Sequence, residues 1–238
     1  MRILFCLLLL AAALPLRAEC DKGVVILIHG FLQTEKGMND VQRTCNYVGL
    51  KTYDFEYSSF KGSIREHGHC LAEFAKWVSE QNPGQDVNFV THSLGALILR
   101  SACSDPAFPA SAKKGRTVLF APPSFGSEFG RKLNAGNLYR CLGFELGYEL
   151  STYTACDIME LGSYPDEMKI LIIAGCRGSR FFMNKENDGV IAVDETGIDH
   201  PFYFETFFVT HYRILHYPPA LNLARYFILD EYTDRDCE

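Results

Sequence analysis

The chain lacks an excess of positive charge, repeated segments, low-complexity tracts and the multiple long apolar runs of a multi-span membrane protein. Its 23 Lys and Arg residues stand against 29 Asp and Glu residues, and the formal net charge is −6. Because nucleic-acid binding depends on clustered Lys and Arg, this balance disfavours a nucleic-acid partner. With 47% hydrophobic and 22% charged residues, the 238-residue chain has the composition of an ordinary globular domain.

The main apolar run lies at the N-terminus, in MRILFCLLLLAAALPLRA (1–18). Arg2 gives it a positive start, and the stretch from Ile3 to Leu14 is shorter than the roughly 20 residues that span a bilayer. This pattern predicts a signal peptide over 1–18, cleaved near Ala18, and a secreted or periplasmic protein; a retained anchor is the alternative. Residues 19–238 are expected to form a single domain.

The sequence contains no Cys-x-x-Cys pair, which disfavours a zinc site or thioredoxin-like chemistry. Cleavage near Ala18 removes Cys6 and leaves an even number of cysteines, which predicts disulfides in an oxidising compartment. The spacing does not choose among the possible pairs. The eight cysteines concerned are Cys20, Cys45, Cys70, Cys103, Cys141, Cys156, Cys176 and Cys237.

Short apolar runs alternate with helical patterns along most of the chain. Strands are predicted at 24–30, 51–59, 87–90, 117–122, 168–175 and 204–209, and helices at 36–48, 63–81, 94–103 and 220–232. The helix over 63–81 is expected to turn one face inward, with Ile64, Cys70, Leu71, Phe74 and Trp77 near it. This alternation predicts an α/β fold with a mostly parallel central sheet and helices on both faces. In such sheets the reactive groups gather at the carboxyl ends of the strands.

The sequence VNFVTHSLG (87–95) places Ser93 between a buried strand and a helix that starts almost at once. A tight turn there raises the serine hydroxyl above the sheet and directs a helix N-terminus at it. Thr91 stands where the usual Gly-x-Ser-x-Gly pattern has its first glycine. The alternative is an ordinary serine that caps a helix.

A second segment, VVILIHGF (24–31), is a buried strand followed by His29-Gly30-Phe31. Gly30 lets the backbone turn, so the amide of Phe31 can point at a developing oxyanion alongside the amide of Leu94. His29 could be a second base, but we favour a histidine that holds the loop by hydrogen bonds.

These segments, with NDGVIAVDET (187–196) and FFVTHYRIL (207–215), resemble those of the α/β-hydrolase superfamily over most of 24–232. The resemblance is closest to the secreted or periplasmic bacterial lipase/esterase-like branch, with wider similarity to GPI inositol-deacylase-like hydrolases. A further match, LFAPPSFGSEF (119–129), resembles the loop that these lipase-like proteins place after the strand following the nucleophile. The resemblance implies an α/β-hydrolase fold, ester hydrolysis and no metal or organic cofactor.

The order of the resembling proteins is serine, then acid, then histidine. Asp188, in Asn187-Asp188-Gly189, matches the acid position, with Asp194 and Asp199 as rivals. His211 follows the last predicted strand and matches the base; the rival His216 lies just before Tyr217-Pro218-Pro219. The predicted catalytic residues are therefore Ser93, Asp188 and His211. Since the base must be neutral, activity is expected to fall in acid.

Residues 123–167 form a long aromatic-rich stretch that we predict to be a cap or lid insertion, although its rings could equally just cover the sheet. The expected function is hydrolysis of a small-molecule or lipid ester through an acyl-enzyme, with transient contact to a lipid surface. An acyltransferase with the same residues and a non-catalytic binding protein are the alternatives. The sequence leaves the acyl chain length and the oligomeric state open.

Overall fold

A single parallel sheet organises the molecule. The computed structural model describes residues 23–134, 138–181 and 183–231, apart from the side chains of Leu138 and Cys141, so the predicted signal peptide lies outside it. In that part of the chain, six parallel strands run in the order β2-β1-β3-β4-β5-β6. The strands are β1 (Val24–Ile28), β2 (Lys51–Phe55), β3 (Val87–His92), β4 (Arg116–Phe120), β5 (Lys169–Gly175) and β6 (Tyr203–Phe207).

Helices connect these strands, as a parallel sheet requires. The α-helices are α1 (Asn39–Tyr47), α2 (Ile64–Gln81), α3 (Gly95–Cys103), α4 (Ala110–Lys113), α5 (Glu128–Leu133), α6 (Leu138–Cys141), α7 (Glu145–Thr152), α8 (Ala155–Met159) and α9 (Pro218–Ile228). Short 3₁₀ turns occupy Glu35–Met38, Val193–Glu195 and Arg213–His216. The predicted α/β architecture is thus confirmed, and every predicted strand is present.

The two faces of the sheet carry two hydrophobic clusters. One cluster joins alternate residues of β1 and β3 to the buried faces of α2 and α3, and Phe89 lies at its centre with no exposed surface. The other joins the opposite residues of those strands to α1 and α9, with Val90 and Phe227 fully buried. Because β1 and β3 are covered on both sides, all their residues are buried, which explains the continuous apolar sequence of β1.

Boundaries and one helix face differ from the predictions. The strand predicted over 51–59 ends at Phe55. In α2, the side chains of Cys70 and Trp77 are exposed. The bulky aromatic side chain of Trp77 suggested an inward face, but the buried positions are filled mainly by small and aliphatic residues. These are Ile64, Gly68, Leu71, Ala72, Ala75 and Val78.

The segment between β4 and β5 folds into α5 to α8, four short helices within the stretch predicted to be a cap. Several hydrogen bonds join it to the rest of the molecule, among them three made by residues in or next to these helices. The backbone N–H of Ile64 donates to Glu149 Oε2 (2.7 Å), the N–H of Glu128 donates to Glu195 Oε1 (2.6 Å), and Arg65 donates to the carbonyl of Glu160 (2.6 Å). These contacts tie the segment to α2 and to the loop before β6.

Five cysteines have described side chains, and none of these is paired with another: Cys45, Cys70, Cys103, Cys156 and Cys176. The disulfide prediction therefore stays a prediction that needs Cys20, Cys141 or Cys237, which lie outside the described side chains. Among the described helices, even the 18-residue α2 is too polar to serve as a membrane span.

Candidate active site

Ser93 occupies a strained turn between β3 and α3. Its φ is +49°, in the left-handed region that costs a non-glycine residue about 1–3 kcal/mol. The turn is held because Ser93 N–H donates to the carbonyl of Phe120 on the neighbouring strand (2.8 Å) and the Ser93 carbonyl accepts from Ala96. This is the sharp strand-to-helix turn predicted for the sequence VNFVTHSLG.

Gly95 is required by close packing at the start of α3. A Cβ atom there would lie 2.8 Å from the carbonyl oxygen of Ile28 and 2.9 Å from that of His29. The helix therefore rests directly on the end of β1. At the first glycine position of the usual pattern, Thr91 lies inside β3, where its hydroxyl is buried without a partner among the described residues.

The two predicted oxyanion donors lie beside this turn. Phe31 follows β1 and lines the same cleft as Ser93, and Leu94 immediately precedes α3. No oxygen in the described part of the chain accepts from the backbone N–H of either residue. Both amides are thus free to donate to an added ligand.

Asp188 and His211 are joined in the loops that follow β5 and β6. His211 Nδ1 lies 2.7 Å from Asp188 Oδ2, and both side chains are almost fully buried. Asp188 Oδ1 accepts from the backbone N–H groups of Val190 (2.9 Å) and Ile191 (2.7 Å). The backbone N–H of His211 also donates to the Asp188 carbonyl (2.9 Å). The carboxylate is therefore fixed in one orientation, aimed at the imidazole.

The rival acids are engaged elsewhere. Asp194 is largely exposed and pairs with Lys185 (2.6 Å). Asp199 forms a bidentate ion pair with the buried guanidinium of Arg100, whose Nη1 and Nη2 donate to its Oδ1 (2.6 Å) and Oδ2 (2.9 Å). This pairing holds the pKa of Asp199 below its usual value. Neither acid is placed to orient His211.

The rival histidines also have other partners. His216 is half exposed, and its Nδ1 lies 2.6 Å from Asp40 Oδ2. His29 is buried, with Nδ1 2.9 Å from the Gly30 carbonyl, and stacks on Tyr57 at 4.1 Å between ring centroids. Burial lowers the pKa of His29. This arrangement matches a histidine that holds its loop.

A cleft of about 150 Å³ opens over Ser93 and His211. Ser93 and His211 lie in its wall together with side chains that are mostly apolar. Three lining residues are more than half exposed at its mouth: Leu32 (57%), Leu133 (52%) and Tyr212 (51%). The remaining apolar lining comes from Phe31, Phe129, Tyr139, Leu150, Val190 and Ile191.

Helices α5 to α7 supply one wall of this cleft. Of the aromatic residues noted in the stretch 123–167, Phe129 and Tyr139 line the cleft, whereas Tyr164 is buried in the core. The Phe31 ring packs edge-on against Tyr139, with 6.0 Å between centroids, and also against Gly147. Phe31, a predicted oxyanion donor, is thus in contact with the segment between β4 and β5.

Comparison with known proteins places this geometry in a recognised fold. No protein-family model and no curated protein sequence matches the chain. Among solved structures, the mature form of a Bacillus licheniformis lipase, BlEst2, aligns with a TM-score of 0.68 and 18% identity, over 85% of this chain and 93% of the lipase. The metagenomic carboxyl esterase MGS0156 aligns with a TM-score of 0.69 and 19% identity, over 89% of this chain and 76% of that one.

The protein has the α/β-hydrolase fold. Phospholipase PlaB from Legionella pneumophila shares it, with a TM-score of 0.67 and 14% identity over 90% of this chain and 60% of PlaB. In this α/β-hydrolase fold, the three predicted residues Ser93, Asp188 and His211 all lie at the carboxyl edge of the sheet, where ligands of open parallel sheets bind.

Sequence reasoning missed several residues that support this edge of the fold. The Tyr57 hydroxyl donates to the His29 carbonyl (2.8 Å), and the Leu32 N–H donates to Ser59 Oγ (2.9 Å). Gln33 contacts both Gly30 and His92. His92 is visible in the sequence as the neighbour of Ser93. No local pattern indicates the contacts of Tyr57, Ser59 and Gln33 with His29, Leu32 and His92, because those partners are 27 to 59 residues away. In the described residues, no three His, Cys, Asp or Glu side chains cluster as metal ligands.

Proposed function

We propose that this protein is a serine hydrolase that cleaves carboxylic esters through Ser93, His211 and Asp188. The observation that carries the proposal is the buried pair of His211 and Asp188, since His211 lines the same cleft as a serine on a strained strand-to-helix turn. An unassisted serine hydroxyl is a weak nucleophile and needs a base to take its proton. The likeness to lipases and esterases supports the same chemistry.

In the proposed mechanism, Ser93 Oγ attacks the ester carbonyl carbon while His211 Nε2 accepts the hydroxyl proton. The carbonyl oxygen becomes negatively charged and accepts hydrogen bonds from the N–H groups of Phe31 and Leu94. His211 then gives its proton to the leaving alcohol, and an acyl group remains on Ser93. Water attacks this acyl-enzyme by the same steps and releases the acid. Asp188 keeps the imidazole in the right tautomer and stabilises its charged form.

The size and lining of the cleft favour short to medium acyl chains. A cavity of about 150 Å³ lined by apolar side chains accommodates a ligand of about six heavy atoms. A longer chain has to leave the cleft over the exposed side chains of Leu32, Leu133 and Tyr212. We further propose that this apolar mouth makes transient contact with lipid surfaces, and that the segment between β4 and β5 acts as a cap.

Export is also part of the proposal. The N-terminal pattern of residues 1–18 supports a signal peptide cleaved near Ala18, which would deliver residues 19–238 as one domain to the periplasm or the exterior. Mass spectrometry of the N-terminus after expression in a bacterial host tests this directly.

The decisive experiment compares p-nitrophenyl esters with acyl chains from two to sixteen carbons. We expect turnover by the wild type to be greatest at about four to six carbons, and Ser93→Ala to lose it by about 10⁴-fold or more. The matched control is Ser111→Ala, whose hydroxyl pairs with Ser79 far from the cleft and whose loss should leave turnover unchanged. A folded wild type without Ser93-dependent turnover on any chain length would refute ester hydrolysis.

A further inference from the structure

His92 lies directly beneath the candidate active site. It is the last residue of β3, immediately before Ser93, and its side chain has no exposed surface. Its ring lies 4.7 Å from the ring of His211, centroid to centroid. It also rests on Gly30, where a Cβ atom would come within 2.7 Å of His92 Nδ1. The glycine after β1 is therefore needed to make room for this imidazole.

Both nitrogens of His92 contact loops that carry candidate catalytic groups. Nε2 lies 3.0 Å from the backbone carbonyl oxygen of His211. Nδ1 lies 2.8 Å from the side-chain amide oxygen of Gln33, which also accepts from the Gly30 N–H at 2.9 Å. One buried ring thus joins the loop after β6 to the turn after β1.

We infer that His92 is a positioning residue that holds the backbone of His211 and the Gly30–Gln33 turn in fixed positions around Ser93. This inference rests on the proposed function, since it assigns a role in setting the distance between nucleophile and base. His92 is neither one of the proposed oxyanion donors nor one of the three proposed catalytic residues.

The tethers of His211 show why this contact matters. Two of them, the Nδ1 contact and the backbone N–H bond, both end on Asp188. They fix the imidazole relative to its acid but not relative to the serine. The bond to its carbonyl comes from His92, the last residue of β3 and the residue immediately before Ser93. The other backbone bonds of these two loops, such as that from the Arg177 N–H to the Val209 carbonyl (3.1 Å), lead to the residues after β5. Loss of the His92 bond should therefore let the Asp188–His211 unit shift relative to Ser93.

The protonation of His92 follows from its partners. Burial and the neighbouring His211 lower the pKa of His92 well below its usual value, so the ring is neutral and carries one N–H. A backbone carbonyl can only accept a hydrogen bond, whereas a glutamine amide can accept or donate. We therefore place the proton on Nε2, facing the His211 carbonyl. For Gln33 to donate to Nδ1, its amide has to turn its NH₂ group toward His92, and the Gly30 N–H then loses Gln33 Oε1 as its acceptor.

Three substitutions of His92 separate these contacts. His92→Leu keeps an apolar side chain and removes both. His92→Gln can place an amide N–H near the position of Nε2, and His92→Asn can place one only near Nδ1. We expect His92→Leu to lower kcat about 10- to 100-fold, because a displacement of the base by about 1 Å has effects of that size, with KM changed less than about twofold. His92→Gln should recover most of kcat, and His92→Asn should not.

The matched control is His69→Leu, which removes an exposed histidine on α2 that pairs with Asp105 outside the cleft. It should leave kcat and KM unchanged. A folded His92→Leu variant with unchanged kcat, or equal recovery by the Asn and Gln variants, overturns the inference. If His92→Leu does not fold, the comparison between the Gln and Asn variants still decides.

A second readout needs no substrate and separates this inference from the proposed function. We expect the proton between His211 Nδ1 and Asp188 to give a far-downfield NMR resonance, because the two atoms lie 2.7 Å apart. Its exchange rate with water would report how firmly the His211 loop is held. We expect this resonance to persist in His92→Gln and to broaden in His92→Asn. If the resonance behaves equally in the two variants, the positioning role is overturned. If instead the wild type shows the resonance but hydrolyses no ester, the proposed function is refuted while the positioning role can still be tested.

Discussion

Helices α3 and α5 both border the candidate active site, yet they are held in opposite ways. Every residue of α3 is buried, whereas no residue of α5 is. The loops at the carboxyl edge of the sheet are bonded to one another, as in the contacts of His211 with Asp188 and His92. The segment from α5 to α8 instead makes a few separate bonds to its surroundings.

The sheet edge and the α5–α8 segment have different roles in the same cleft. The sheet edge places reactive atoms, which have to be held to within a fraction of an ångström. The α5–α8 segment forms a wall against which a substrate chain packs, and such a wall tolerates change because apolar contacts are not directional. Substitutions at the sheet edge should therefore affect rate, and substitutions in the segment should affect local stability and substrate choice.

Apart from loss of Ser93 itself, the largest expected effect comes from Asp188→Asn. The change leaves an oxygen for the Val190 and Ile191 amides but turns an NH₂ group toward His211 Nδ1, which favours the wrong tautomer of the base. We expect kcat for ester hydrolysis to fall about 10³- to 10⁴-fold with little change in KM.

The control for this prediction is Asp194→Asn, six residues further along the same loop. Asp194 is exposed and paired with Lys185, so its loss should leave kcat unchanged. Similar losses in both variants would show that the rate depends on the charge of the loop and not on the orientation of His211.

A second, smaller effect is expected from Asp199→Ala, which tests how firmly α3 is held. The substitution leaves the buried guanidinium of Arg100 without its carboxylate. Because the Asp199 side chain is 32% exposed, we expect a cost of about 2 kcal/mol, below that for a fully buried ion pair, and urea unfolding at pH 7 would measure it.

The pH dependence gives an independent check on Asp199. Arg100 lowers the pKa of Asp199 in the folded state, so its stabilising contribution is complete above the unfolded-state value of 3.8. That contribution is lost as the pH falls through the lower folded-state pKa. The difference in unfolding free energy between wild type and Asp199→Ala should thus be constant from pH 7 to 5 and shrink below pH 4. A difference that grows in acid would contradict the pairing.

The smallest effect is expected from Glu149→Leu in α7. The substitution removes the acceptor of the Ile64 N–H and of the Tyr153 hydroxyl, at a cost of about 1 kcal/mol. Because this contact joins α7 to α2, faster amide exchange should be confined to these helices, which hydrogen exchange would measure. Kcat on a two-carbon ester should stay close to the wild-type value.

Glu149→Gln is the matched variant, since it keeps an acceptor for Ile64. Burial raises the pKa of Glu149 in the folded state. The contribution of Glu149 to the free energy of unfolding of the wild type should therefore fall as the pH rises from about 4.5 through the folded-state pKa. The Gln variant has no such loss, and its stability relative to the wild type should increase over that rise in pH. Loss of activity in the Gln variant as large as that in Asp188→Asn would abolish the distinction between sheet edge and segment.

The sequence by itself determined the architecture and the candidate residues. A short, β-branched apolar run such as VVILI, followed closely by glycine, is typical of a strand buried on both faces, and the alternation with helices predicts parallel strands. The turn at Ser93 was predictable because a strand that meets a helix without a linker leaves few backbone conformations. The roles of Ser93, Asp188 and His211 remain predictions that the geometry supports.

Only the tertiary structure decided between residues with similar local sequence. Asp188, Asp194 and Asp199 lie within one loop region, and their different partners depend on long-range packing that no local pattern encodes. The same holds for His92, whose contacts are with Gln33 and His211, the latter 119 residues away. Local propensity sets the strand and the turn, but a buried polar side chain takes its partner from whatever the folded chain brings within hydrogen-bonding distance.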